Sequence, residues 1–122
     1  MEGDKGEMIQ TRRKGQRTFS KAMKYANTFP DVFVMPIYQV SRWAQPQPCD
    51  MIVFRTGHMT RLVEVRSNQY GLSKQSTRQL SQIPGDFYIK QVWMFKDGEK
   101  EPFIRQWDGE DWSYVDEVFG KE

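Results

Sequence analysis

The sequence predicts a single α/β domain in which helices flank a mixed central β-sheet. Three observations lead to this fold class: a helical repeat near the N-terminus, several short runs of β-branched and aromatic residues, and a polar helical segment between two of those runs. The chain has 122 residues, which suits one domain over 1–122 that buries a core without disulfides. Residues 1–11 carry no apolar repeat, so we expect them to be irregular.

The elements follow from apolar spacing and from turn residues. Residues 16–29 carry apolar side chains at helical spacing, and the helix should end before Pro30. Runs that favour strands lie at 32–40, 51–55, 61–67, 87–95 and 102–107. Pro36 places the first strand at a sheet edge, and the turn at Gly57 joins the second and third into a hairpin. Residues 73–83 predict the polar helix.

Composition limits the environment and the partners of the chain. Cys49 is the sole cysteine, which excludes an intrachain disulfide and a cysteine-rich zinc cage. Neither a long apolar run nor a signal peptide is present, so we expect a cytoplasmic protein without membrane contact. Residues 1–90 carry 14 Lys and Arg against 7 Asp and Glu, whereas residues 91–122 carry 4 against 9. This asymmetry fits a basic face for a polyanion, and it fits equally well an unevenly composed solvated surface.

The predicted hairpin carries three residues with chemical potential. Asp50 precedes its first strand, while Glu64 and Arg66 lie two apart on its second strand and so point to one face. A turn near Gly57 brings Asp50 and Glu64 close together across the ladder. Two carboxylates and a cation on one face suit a divalent metal and a phosphate. Separately, Glu-x-Arg is often a surface ion pair, and an Asp after a proline is often a turn residue.

An Asp, then a hairpin, then Glu-x-basic resembles the signature of the PD-(D/E)XK nuclease superfamily, which has a restriction endonuclease-like fold. The flanking Lys14-Gly15, Arg42-Trp43 and Glu64-Val65-Arg66-Ser67 are similar to those of small archaeal Holliday junction resolvase-like members, and the resemblance covers roughly residues 14–107. It implies a DNA endonuclease that uses Mg²⁺ or Mn²⁺. The metal ligands it implies are Asp50, Glu64 and the carbonyl of Val65, with Asp50, Glu64 and Arg66 as the catalytic residues.

Two positions depart from the family pattern. Arg66 replaces the family's lysine, and an arginine stays protonated, so it can stabilise charge on a phosphate but cannot act as a general base. The first helix of many resolvase-like members carries a glutamate, whereas the matching turn here holds Thr18, Phe19 and Ser20. Both departures leave open a catalytically degenerate nucleic-acid-binding module of the same fold. A protein-interaction domain that uses the acidic end is a second alternative.

Several basic and aromatic residues are candidates for DNA contact. The candidates are Lys14, Arg17, Arg42, Trp43, Lys74 and Arg78. Trp43 fits base stacking and, equally, anchoring of its loop onto the core. Lys74 and Arg78 lie four residues apart and so share one face of the polar helix. The alternative to DNA contact is that this face is simply exposed to solvent. The family resemblance also implies a homodimer that acts on two strands.

Overall fold

The computed structural model describes residues 17–37, 49–67 and 74–120, without the side chains of 74–76. These residues form two helices and six strands. In chain order they are α1 (17–26), β1 (Val32–Pro36), β2 (Met51–Arg55), β3 (Thr60–Ser67), α2 (Lys74–Ser81), β4 (Tyr88–Phe95), β5 (Phe103–Trp107) and β6 (Trp112–Val115). The predicted irregular segment 1–11 and the end of the predicted first strand, 38–40, lie outside the described residues. None of the described helices is long and apolar enough to cross a membrane.

All six strands form one mixed sheet in the order β1-β2-β3-β4-β5-β6. Neighbouring strands are antiparallel except β3 and β4, which are parallel because α2 carries the chain back across the sheet between them. β1 is an edge strand, as Pro36 predicts. The turn between β2 and β3 contains Gly57 at φ +81°, a left-handed conformation that favours glycine. The mixed sheet with helices confirms the predicted fold class.

The two helices cover opposite faces of the sheet. Ala22 and Ala26 of α1 are fully buried against one face, where Val53, Val63 and Trp93 form the main core. On the other face, Leu80 of α2 packs in a smaller cluster that also contains Cys49, Leu62 and Val92. Side chains alternate between faces along a strand. Glu64 and Arg66 therefore lie on the α2 face, with Leu62.

The C-terminal segment differs from the expected short acidic element. Residues 112–115 form β6, whose pairing with β5 sets Trp112 opposite Trp107 with ring centroids 5.4 Å apart. Val118 then enters the core, and its carbonyl accepts hydrogen bonds from Arg61 Nε at 3.2 Å and Gln91 Nε2 at 2.9 Å. The strand was missed because only two of its four side chains are even half-buried, so its sequence lacks a strand pattern.

The first helix ends earlier than the predicted limit at residue 29. Helical structure ends at Ala26, and the next three residues form a turn in which Asn27 Nδ2 donates to the Met23 carbonyl at 2.9 Å. Thr28 Oγ1 also donates to the Tyr25 carbonyl at 2.6 Å. Polar side chains thus satisfy the carbonyls that a helix leaves exposed at its C-terminus, three residues before the predicted stop.

Candidate functional site

Asp50 joins three strands at one end of the sheet. Its N–H donates to the Val63 carbonyl in β3, and its carbonyl accepts from the Ile37 N–H that follows β1, both at 2.9 Å. The carboxylate oxygen Oδ2 accepts the Val65 N–H at 2.7 Å. The Asp50 carboxylate therefore replaces a main-chain carbonyl as the acceptor of the Val65 N–H, just beyond the last residue pair of the β2–β3 ladder. This contact fixes the Asp50 carboxylate beside the strand that carries Glu64.

Glu64 and Arg66 form an ion pair on the α2 face of β3. Arg66 Nη2 lies 2.5 Å from Glu64 Oε1, a charge-assisted hydrogen bond between residues two apart on one strand. The Glu64 side chain is 6% exposed and that of Arg66 is 37% exposed. A buried carboxylate is thus neutralised by a cation that reaches solvent, an arrangement that leaves the guanidinium accessible to a phosphate.

A cleft of about 340 Å³ opens where β3 leaves the sheet. Asp50, Val65 and Arg66 line it from the sheet, and the first turn of α1 closes it with Thr18 and Phe19. Thr18 is buried, so a hydroxyl stands at this wall of the cleft where the resemblance leads us to expect a carboxylate. Ser67 also lines the cleft and was not predicted, because a serine at a strand end carries no distinctive signal.

Burial shifts the pKa of two groups at this end of the sheet. Burial raises the pKa of the Cys49 thiol to about 11, and the nearby Asp50 and Glu64 carboxylates add to the effect. The thiol is therefore protonated at neutral pH and is a poor metal ligand or nucleophile. Burial also raises the pKa of the Asp50 carboxyl, which the Val65 N–H and Arg66 lower in turn. The oxygen donors, and not the sulfur, are the candidates for cation binding.

The donor set suits a hard divalent cation held in part by its ligand. Mg²⁺ is commonly bound through one or two carboxylates together with waters and substrate phosphates. Asp50, just before β2, and Glu64, on β3, supply two such carboxylates, of which Asp50 lines the cleft. In the part of the chain that the structure describes, no group of three or more His, Cys, Asp or Glu side chains is arranged to hold a metal. The residues fit a divalent cation that a phosphate group helps to hold. Arg66 would compete with that cation for the Glu64 carboxylate.

Only some of the predicted DNA-contacting side chains lie within the described residues. Arg17 is exposed at the start of α1, next to Thr18 of the cleft wall. Arg78 is exposed on α2. The other four predicted contacts fall outside the described residues or side chains: Lys14, Arg42, Trp43 and Lys74. The structure thus places one candidate cation, Arg17, beside the cleft.

Comparison with known proteins identifies the fold. A scan against protein families finds no match, and a search of curated proteins finds no relative. Among solved structures the architecture matches a Holliday junction resolvase-like nuclease fold. One such structure is Hjc of the archaeal hyperthermophile Archaeoglobus fulgidus, a Holliday junction resolvase, with a TM-score of 0.55 and 16% sequence identity over 84% of this chain and 88% of that chain. At this level of identity, the likeness shows the fold alone.

Proposed function

We propose that this chain is a member of the PD-(D/E)XK superfamily that binds DNA and hydrolyses phosphodiester bonds with Mg²⁺ or Mn²⁺, as a resolvase-like endonuclease. The observation that carries the proposal is a pair of carboxylates at one end of the β2–β3 hairpin: Asp50, just before β2, is held by the Val65 N–H at 2.7 Å, and Glu64 is the residue before Val65 on β3. This pair lies at one end of a fold shared with Hjc. The proposal includes a homodimer and a cytoplasmic location, both of which stay predictions.

In this proposal, Asp50 and Glu64 hold the metal, with the Val65 carbonyl as a third ligand. A bound divalent ion would polarise the phosphoryl oxygen and lower the pKa of a coordinated water. Arg66 would move from Glu64 to a non-bridging phosphate oxygen, where the guanidinium stabilises the charge that develops. Its 37% exposure supports this shift, since the guanidinium reaches solvent while Glu64 does not.

Arg17 and Arg78 are the described residues that we propose as contacts to the DNA backbone, together with Lys14, Arg42, Trp43 and Lys74 outside the described part. Exposed arginines bind phosphates without reading sequence, and each neutralised phosphate steepens the salt dependence by about 0.9 on duplex DNA. Replacing Arg17 or Arg78 with glutamine should therefore flatten the salt slope by about one unit and leave the cleavage chemistry intact.

The test is cleavage of labelled four-way junction, duplex and single-stranded DNA by the purified protein, with Mg²⁺, Mn²⁺ or EDTA. The Asp50→Asn variant keeps an oxygen that accepts the Val65 N–H but loses the charge. Asp31→Asn is the matched control, since Asp31 is exposed and adopts φ +58°, a conformation that asparagine tolerates. Metal-dependent cutting should fall by at least about a hundredfold in Asp50→Asn and stay unchanged in Asp31→Asn.

Two features favour a second candidate, a nucleic-acid-binding module that does not cut. Arg66 already neutralises Glu64, and Thr18 stands at the cleft wall in place of an acid. Salt-sensitive DNA binding by both Asp50→Asn and the unmodified protein, without cutting by either, would establish this candidate. Absence of both cutting and binding would refute the two nucleic-acid functions and favour the protein-interaction domain.

A further inference from the structure

Strands β4, β5 and β6 form an open groove of about 480 Å³ on their α2-facing side, beyond the area that α2 covers. Its floor contains Val92 and Met94 of β4. Phe103 and Arg105 of β5 and Tyr114 of β6 continue it outward. Three strands thus contribute side chains to one continuous surface that the chemistry proposed above does not use.

Two exposed aromatic rings dominate the groove, and each has a cation against it. Phe103 is 47% exposed and Tyr114 is 66% exposed. Lys96 Nζ lies 4.6 Å from the centre of the Phe103 ring, and the guanidinium carbon of Arg105 lies 4.4 Å from that of Tyr114. Arg105 Nη2 also donates to Tyr114 Oη at 2.6 Å. Each cation contacts its ring, and both rings remain well exposed.

The strand register connects this groove to the Glu64–Arg66 pair. Arg66 is opposite Met94, which is opposite Phe103, so these three residues form one row across β3, β4 and β5. Glu64 begins a second row that runs through Val92 and Arg105 to Tyr114. Neighbouring strands lie about 4.8 Å apart, so Phe103 is on the order of 10 Å from Arg66 across the sheet. A flexible, extended ligand that contacts Arg66 therefore also reaches the groove.

We propose that this groove binds single-stranded DNA, with bases stacked on Phe103 and Tyr114 and phosphates near Lys96 and Arg105. Aromatic rings on an open sheet face provide stacking for any base, and neighbouring cations match the charge of the backbone. The residues that line the groove carry a positive balance, Lys96 and Arg105 against Asp116, within a C-terminal segment (91–122) that is acidic as a whole. The inference shares with the proposed function only the choice of DNA as partner.

The experiment measures fluorescence anisotropy of a labelled thymidine 12-mer in EDTA, where no cleavage occurs. Phe103→Ala and Tyr114→Ala should each weaken binding by about fivefold to a hundredfold. Tyr114→Phe should bind like the unmodified protein, because it keeps the ring. Phe33→Ala is the matched control: Phe33 is 65% exposed but lies on β1, at the opposite edge of the sheet, and its loss should leave affinity unchanged.

Two results would overturn the assignment. One is equal affinity of both alanine variants and the unmodified protein for the 12-mer. The other is a dimer, seen by sedimentation, that Phe103→Ala dissociates without any change in 12-mer affinity, because the groove would then cover a second copy of the chain. Repeating the titration with Glu64→Gln separates this inference from the proposed function, since a chain that cannot cut should still bind the 12-mer through the groove.

Discussion

Replacing Arg66 with alanine is the change that most directly tests how the carboxylate site is held together. The substitution removes the guanidinium that lies 2.5 Å from Glu64 Oε1, a carboxylate that is 6% exposed in the unmodified protein. Removing one partner of a fully buried ion pair costs about 3–5 kcal/mol, whereas exposed pairs contribute about 0–1 kcal/mol. Because Arg66 is 37% exposed and water can approach Glu64 once it is gone, we expect a loss of about 1–3 kcal/mol.

The assay is urea unfolding in EDTA, followed by the intrinsic fluorescence of the four tryptophans, of which Trp93 is fully buried. For a domain of this size, with an m-value of about 2 kcal/mol/M, the expected loss lowers the urea midpoint by roughly 0.5–1.5 M. Glu64→Gln removes the charge that needs neutralising, so Arg66→Ala should cost less in that background, with a coupling of about 1–2 kcal/mol. Arg78→Ala, which removes an exposed arginine of α2, should change stability by no more than about 0.5 kcal/mol.

The same variants report on cation binding. If Glu64 is a metal ligand, calorimetry should show that Arg66→Ala binds Mn²⁺ more tightly than the unmodified protein. The gain should be up to about tenfold in affinity for each 1.4 kcal/mol of coupling between Arg66 and Glu64. Additive effects of the two substitutions would refute the reasoning, because Arg66 would then not be what neutralises Glu64. Stability of Arg66→Ala within about 0.5 kcal/mol of the unmodified protein would refute it equally.

Two further predictions concern the fold around the site. Lys90 is 7% exposed and donates from Nζ to the Ser81 and Ile83 carbonyls at the end of α2. Lys90→Met should therefore lower the free energy of unfolding by about 1–3 kcal/mol in urea. The control is Lys24→Met, which changes an exposed lysine and should be neutral. Burial lowers the pKa of Lys90, so the stability that Lys90 contributes is present above the ordinary lysine pKa and is lost as pH falls through its pKa in the folded protein. The cost of Lys90→Met should therefore grow with rising pH. A cost independent of pH would contradict the assignment. Truncation after residue 116 removes the Val118 carbonyl bonded to Arg61 and Gln91 and should cost about 3–5 kcal/mol, whereas truncation after residue 120 should leave the melting temperature unchanged.

Local patterns predicted the hairpin well. Strands β2 and β3 follow from their β-branched residues and from Gly57, and a hairpin fixes which residues face each other once its turn is placed. For this reason the placement of Asp50 and Glu64 at the same end of the hairpin could be predicted from the sequence, whereas their convergence on a metal stays a prediction. The hydrogen bond from the Val65 N–H to Asp50 could not be predicted from the sequence, because it depends on where the β2–β3 ladder ends.

Contacts between distant segments were beyond sequence reasoning. Arg61 is fully buried, although arginine on a short strand is normally expected at the surface. It is accommodated by the Val118 carbonyl, 57 residues away, and by the Phe119 ring, whose centre lies 4.8 Å from the guanidinium carbon. No periodic pattern marks these partners, and the same holds for the Phe103 and Tyr114 rings, which belong to different strands and share a groove only through the β5–β6 register.

The charges at the site explain why binding and cutting must be tested separately. With Asp50 and Glu64 ionised, the two carboxylates and the Arg66 cation leave one net negative charge, so a divalent cation would bring the site to one positive charge, which complements a single phosphodiester. A further carboxylate at the position of Thr18 would bring the metal-loaded site to neutrality and weaken its hold on the phosphate. If the chain is the nuclease proposed above, this charge balance favours retention of bound DNA over rapid release. Where cutting occurs, product release and not hydrolysis is then expected to limit turnover, and a burst of one cleavage per site would show it.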